Sequence, residues 1–136
     1  MGFEKLNGYH DAALVCVGIE AASNSLVLSF RLEDGTSKKI ELHGCGPFRM
    51  NDFGLRNVVS RLLLYRGGDV ELNEIEDHLK WASSSSDSSS YLDKRKIEVT
   101  LEKIHRKEAT LFLLEPSWGA EMVVLFTEMK EEILIF

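Results

Sequence analysis

Apolar and polar residues alternate along Ala13–Ile19, Leu26–Leu32 and Lys39–Leu42, the period of a strand with one face against a core. The spacing places Val15, Val17 and Ile19 on one face of the first strand, and points Leu28 and Phe30 inward on the second. Ser23-Asn24-Ser25 and Asp34-Gly35 separate these runs with turn chemistry, the glycine supplying the positive φ that a tight hairpin needs. The same pattern returns 84 residues later. Val15–Leu42 overlays Val99–Phe126 without a gap, with Val17 on Leu101, Leu28 on Phe112, Phe30 on Leu114, Ile40 on Val124 and Leu42 on Phe126. Val15/Val99 and Gly35/Gly119 are identities, so the repeat is one of pattern. It predicts a second meander of strands at Ile97–Leu101, Thr110–Leu114 and Met122–Phe126, and the apolar tail Ile133–Phe136 reads as an edge strand.

Between the two blocks the period changes to that of a helix. Asn51 or Asp52 caps a first helix running to Arg66, with Leu55, Val58, Val59 and Leu62 on one face and Gly67-Gly68 as its stop. Asn73 and Glu76 have the spacing of a capping box for a second, short helix whose apolar face is Leu72, Ile75 and Leu79. The predicted order is therefore three strands, two helices, three strands. That is an α+β fold with an antiparallel sheet of six or seven strands in two meanders and two helices packed on one face. The serine tract at 83–90 reads as a flexible loop, and residues 1–136 as one domain.

Composition adds little to this picture, and charge somewhat more. The chain is 44% hydrophobic and 28% charged, as ordinary globular proteins are. The N-terminus has no signal-peptide pattern and the longest apolar runs are too short to span a bilayer, so a cytoplasmic location without membrane contact is expected. The cysteines, Cys16 and Cys45, then read as free thiols. Net charge is −6 and uneven: residues 1–68 hold eight Lys/Arg against seven Asp/Glu, and residues 69–136 hold eight against fifteen. An acidic half disfavours nucleic acid and suits a basic protein partner.

Few residues suggest chemistry. His10-Asp11 pairs an imidazole with a carboxylate, but no GxSxG supplies a nucleophile beside it. His43 and Cys45 share one face of an extended strand, and Cys16 on another strand would make three zinc ligands without a fourth. No phosphate loop or metal motif is present, so neither metal nor cofactor is expected. His10, Asp11, His43 and Cys45 remain an alternative pocket for a small ligand or an enzyme. The surface is more suggestive. Arg56, Arg61 and Leu64 fall on the polar arc of the predicted first helix, Trp81 falls off the apolar stripe of the second, and Trp118 lies in a predicted turn. Arginine and tryptophan are the residues that anchor protein interfaces.

Gly8-Tyr9-His10-Asp11-Ala12-Ala13-Leu14 resembles the opening of small bacterial proteins whose first strand begins HDA-x-L. Asn51–Ser60 is similar to the helix entry of such proteins, and Ser117-Trp118-Gly119-Ala120-Glu121 is similar to their approach to the last main strand. The resemblance implies an α+β fold, a cytoplasmic bacterial protein and, since some of these proteins are proposed immunity proteins of toxin systems, binding rather than catalysis. It supplies no catalytic residues. The expected function is a non-enzymatic protein-binding domain, monomeric or homodimeric, using Trp81, Trp118, Arg56, Arg61 and Leu64. A third possibility is a homodimer formed by pairing of exposed strand edges, with the C-terminal Ile133–Phe136 strand as the candidate edge.

Overall fold

The computed structural model describes residues 2–85 and 89–134. Its strands are β1 (Glu4–Lys5), β2 (Ala13–Glu20), β3 (Ser25–Arg31), β4 (Ser37–His43), β5 (Phe48–Asn51), β6 (Val58–Tyr65), β7 (Thr110–Trp118), β8 (Glu121–Phe126) and β9 (Glu128–Leu134). The helices are α1 (Leu72–Ala82) and α2 (Lys94–His105). The chain is α+β, with a large antiparallel sheet and two helices. Among the described residues the sheet has nine strands rather than six or seven, in the order β5-β8-β7-β6-β2-β3-β4-β9, with β1 paired to β6.

The two ends of that order meet. β4 runs on into β5 through Gly44–Pro47, and β8 into β9 through Thr127. At the bend the Thr127 N–H donates to His43 O at 3.0 Å, the Gly46 N–H to Leu125 O at 2.8 Å and the Leu125 N–H to Pro47 O at 3.0 Å. The β4·β9 and β5·β8 pairings are thus one bent ladder, and the sheet curls closed into a barrel. Its interior holds Tyr9, Leu14, Leu28, Phe30, Ile40, Leu42, Leu62, Phe112, Leu114, Met122 and Val124. A second core lies outside the barrel wall, where Leu63, Tyr65, Leu111, Leu113 and Val123 meet Ile75 and Ala82 of α1 and Ile104 of α2.

The double core explains why the predicted first helix is a strand. Residues 62–65 of β6 are buried on both faces, with Leu62 and Leu64 turned into the barrel and Leu63 and Tyr65 turned under the helices. Such a strand shows no alternation, and its continuous apolar run matches a helical stripe as well as a strand. The reverse correction applies to Ile97–Leu101, which lies in α2. Asp93 caps that helix by accepting from the Lys96 N–H at 2.8 Å. Ile97, Leu101 and Ile104 form its packed stripe, and Val99, which the strand reading turned inward, is 48% exposed. In α1 the capping box does not form: the helix begins at Leu72, after Glu71, with no side-chain cap.

The 84-residue repeat survives in two of its three strands. Leu28 pairs with Ile40 in β3–β4, and Phe112 with Val124 in β7–β8, the same register 84 residues on. Gly35 and Gly119 occupy the two hairpin turns at φ +90° and +82°. The third strand of the second meander is β6, which pairs with β7 as β2 pairs with β3. The two helices are inserted between β6 and β7, so the ungapped overlay set α2 where β6 belongs. Within β2 a bulge between Leu14 and Cys16 breaks the expected alternation, leaving Val15 59% exposed while Leu14 turns inward. The apolar tail begins in β9, which pairs with β4 along Ser37↔Leu134 to His43↔Glu128; residues 135–136 lie outside the described residues. The expected flexible loop at 83–90 lies partly outside them too, but Ser83 is fully buried and its hydroxyl donates to Leu79 O at 2.8 Å.

Candidate functional site

The segment 52–57 links β5 to β6 across one end of the barrel, beside the β7–β8 turn. Asn57 holds it there. Its Oδ1 accepts from the Gly54 N–H at 2.9 Å and the Ala120 N–H at 3.1 Å, and its Nδ2 donates to Gly54 O at 2.9 Å and Leu14 O at 3.3 Å. Asn57 is buried, so these four bonds account for all the hydrogen-bonding capacity of its side chain. Gly119 packs against the same segment so closely that a Cβ there would lie 2.5 Å from Arg56 O and 2.7 Å from Asn57 Oδ1. Val58 pairs with Trp118, which completes the junction.

Three large apolar side chains stand in water at this end. Trp118 is 69% exposed, Phe53 49% and Leu55 fully exposed. Asn57 bonds the backbone of Gly54, between Phe53 and Leu55, and that of Ala120, two residues after Trp118, so the exposed side chains flank bonded positions. Sequence reasoning identified Trp118 but took Leu55 into a helical core stripe and gave Phe53 no role. The signal that would have found both is Asn57, three residues after Gly54, as the anchor of an Asx-type loop. Arg56, in the same segment, is exposed and makes no ion pair among the described residues.

The other predicted contact residues are tied into the fold. Leu64 is 2% exposed and lies in the barrel core, which removes it from any surface. Arg61 makes a bidentate pair with Glu115, Nε to Oε1 at 3.2 Å and Nη2 to Oε2 at 2.7 Å. This pairing holds its guanidinium above the ordinary arginine value. Trp81 is half-buried against the outer core, its ring lies 4.4 Å from the Arg49 guanidinium and its carbonyl accepts from Arg49 Nη1 at 3.3 Å.

The alternative pocket does not assemble. His10 Nδ1 lies 3.2 Å from Ser60 O and its Nε2 3.5 Å from Asp11, near the end of β3 where Arg31 pairs with Ala13. His43 Nδ1 lies 3.0 Å from the Ser25 hydroxyl, at the start of β3. The two histidines are separated by the length of that strand, about 20 Å. His10 sits between two open clefts, one of about 510 Å³ with Glu33, Asp34 and Lys38, the other of about 290 Å³ with Lys5, Ser60 and Arg61. Cys45 lines a different cleft with Ile19 and Phe48, and burial pushes its thiol above the ordinary value. Among the described residues no group of three or more His, Cys, Asp or Glu side chains could hold a metal ion, and no helix is long and apolar enough to cross a membrane.

No protein-family model and no curated protein matches the chain. Among solved structures it is similar to an uncharacterized protein from Neisseria gonorrhoeae, at 11% sequence identity with a TM-score of 0.53. That likeness covers 97% of this chain and 98% of the other, and it is a likeness of fold.

Proposed function

We propose that this protein is a non-enzymatic protein-binding domain whose contact surface is the barrel end formed by Phe53, Leu55, Arg56 and Trp118. The observation that carries the reading is Trp118, 69% exposed at the tip of a hairpin that Asn57 fixes from below. A tryptophan presented on a rigid turn loses little conformational freedom on binding and gives a large contact area. Leu55 and Phe53 extend the apolar surface, and Arg56 adds a guanidinium of the kind found in interface hot spots. The net charge of −6 favours a basic partner and faster encounter with it. An immunity-type neutraliser in the bacterial cytoplasm is the most concrete form of this proposal.

Affinity capture from lysate of the source cells tests it, with the protein tagged at its N-terminus and the double variant Leu55→Ser/Trp118→Ala as control. The expected result is a stoichiometric basic partner that the wild type retains at low salt and releases at high salt, and that the double variant does not retain. Equal retention by both proteins would sink the assignment of this surface.

A further inference from the structure

Among the described residues β1, β5, β9 and the part of β2 beyond its bulge each pair on one side only, and of these β1, β5 and β9 carry charged residues along the strand, such as Lys5, Arg49 and Lys130. β2 pairs with β3 from Ala13↔Arg31 to Glu20↔Ser25, but it meets β6 only at Ala13↔Val58. The strands part at the bulge between Leu14 and Cys16. β6 continues beneath Leu6 and β1, whereas β2 continues alone, and among the described residues no strand pairs with the outer edge of Cys16–Glu20. Its unpaired N–H and C=O groups are a template for another strand. The side chains agree with the backbone. Ile19 pairs with Leu26, which is 3% exposed, so it faces the core side of the sheet, yet it is 67% exposed because the sheet ends there. Edge strands are commonly guarded by a lysine, a proline or an inward charge. Val15–Ile19 has none of these.

We infer that this edge is closed by a second copy of the chain, with β2 pairing antiparallel to the partner's β2 about a two-fold axis at Gly18. Residues directly opposite in an antiparallel pair share a face. The register centred on Gly18 therefore sets Val17 against the partner's Ile19 on the core side, twice by symmetry, and covers the exposed isoleucine. The segment is its own complement in charge as well. Glu20, the one charge on the edge, is carried past Cys16 of the other copy toward the partner's Arg56. Arg56 stands at that end because the next residue, Asn57, accepts from the Leu14 N–H at 2.9 Å. The two Glu20 side chains lie at opposite ends of the ladder, so the seam itself is free of the repulsion between chains of net charge −6. This interface shares Arg56 with the surface proposed above but does not use Trp118, Leu55 or Phe53, so Leu55→Ser/Trp118→Ala and Ile19→Lys test the two separately.

Sedimentation velocity on the full chain tests the inference over about 1–200 μM protomer. The expected result is a reversible dimer. Ile19→Lys places an ammonium in each seam at a position already in water. It raises the dimer dissociation constant by about 100-fold, with no loss of melting temperature at concentrations where both proteins are monomeric. Register is read by Gly18→Cys in a Cys16→Ser/Cys45→Ser background. A Cβ at Gly18 meets Val27 at 3.8 Å, an ordinary contact. Opposed Cα atoms about 5 Å apart on the axis lie within disulfide range, so mild oxidation cross-links the dimer. A monomer throughout the concentration range overturns the inference. So does a dimer that survives Ile19→Lys, or one that the introduced thiol fails to cross-link.

Discussion

Asn57 shows how one side chain positions a surface. Its four hydrogen bonds join the segment 52–57, the β7–β8 turn and β2 at Leu14. Removing them strands the buried Ala120 N–H and the Leu14 carbonyl, so Asn57→Ala is expected to cost about 3 kcal/mol in urea unfolding. A loss below about 1 kcal/mol would show that water replaces the amide. Tyr9 and Tyr65 are a second case. Burial raises both phenols above the ordinary tyrosine value of 10.0, and the hydrogen bonds and charges of Glu131 and Glu74 raise them further. The folded pKa exceeds the unfolded one in each case. Their contribution to stability is therefore fully present below about pH 10 and lost as pH rises through the raised values. Stability is expected to fall above pH 10.0, the unshifted value for both groups, and to fall less steeply in Tyr9→Phe/Tyr65→Phe. An unchanged slope in the double variant would assign the alkaline loss to other groups.

At the scale of elements, legibility depended on how many faces a strand buries. β3 and β4 bury one face, alternate, and stand where Leu26–Leu32 and Lys39–Leu42 predicted them. β6 is buried on both sides over residues 62–65, and a run with no alternation cannot be told from a helix by period alone. In α2, Ile97, Val99 and Leu101 fit the strand period, whereas the helix period keeps Ile97, Leu101 and Ile104 and leaves Val99 out, and the Asp93 cap favours the helix. The repeat revealed the two hairpins and hid the insertion of the helices between β6 and β7. The hairpins also differ in a way that the overlay could not show. Gly35 and Gly119 share a left-handed backbone, but a Cβ at Gly35 meets nothing within 4 Å while one at Gly119 strikes the 52–57 segment. Gly35→Ala is expected to cost about 1 kcal/mol, the strain of the conformation alone, and Gly119→Ala about 3 kcal/mol or more. Equal costs in denaturant unfolding would mean that the segment yields.

Across the whole molecule, the apolar pattern indicated an α+β fold, composition an ordinary globular protein and charge an acidic half, but none of these could place a surface. Trp81 and Trp118 were equivalent candidates in sequence because each broke its local pattern. The fold separates them: the loop before β6 and the β7–β8 turn leave Trp118 in water, while β5 brings Arg49 over Trp81. His10 and His43 looked as though they might share a site because strand order was unknown, and β3 holds them apart. The central claim is that Trp118 serves binding and Trp81 serves folding. The most direct test measures partner retention and melting temperature together for Trp118→Ala and Trp81→Ala. Trp118→Ala should lose the partner at an unchanged melting temperature. Trp81→Ala should keep the partner and lose about 2 kcal/mol of stability, because it removes core packing and the cation–π contact. The opposite pattern, with Trp118→Ala destabilised and still binding, would contradict the account.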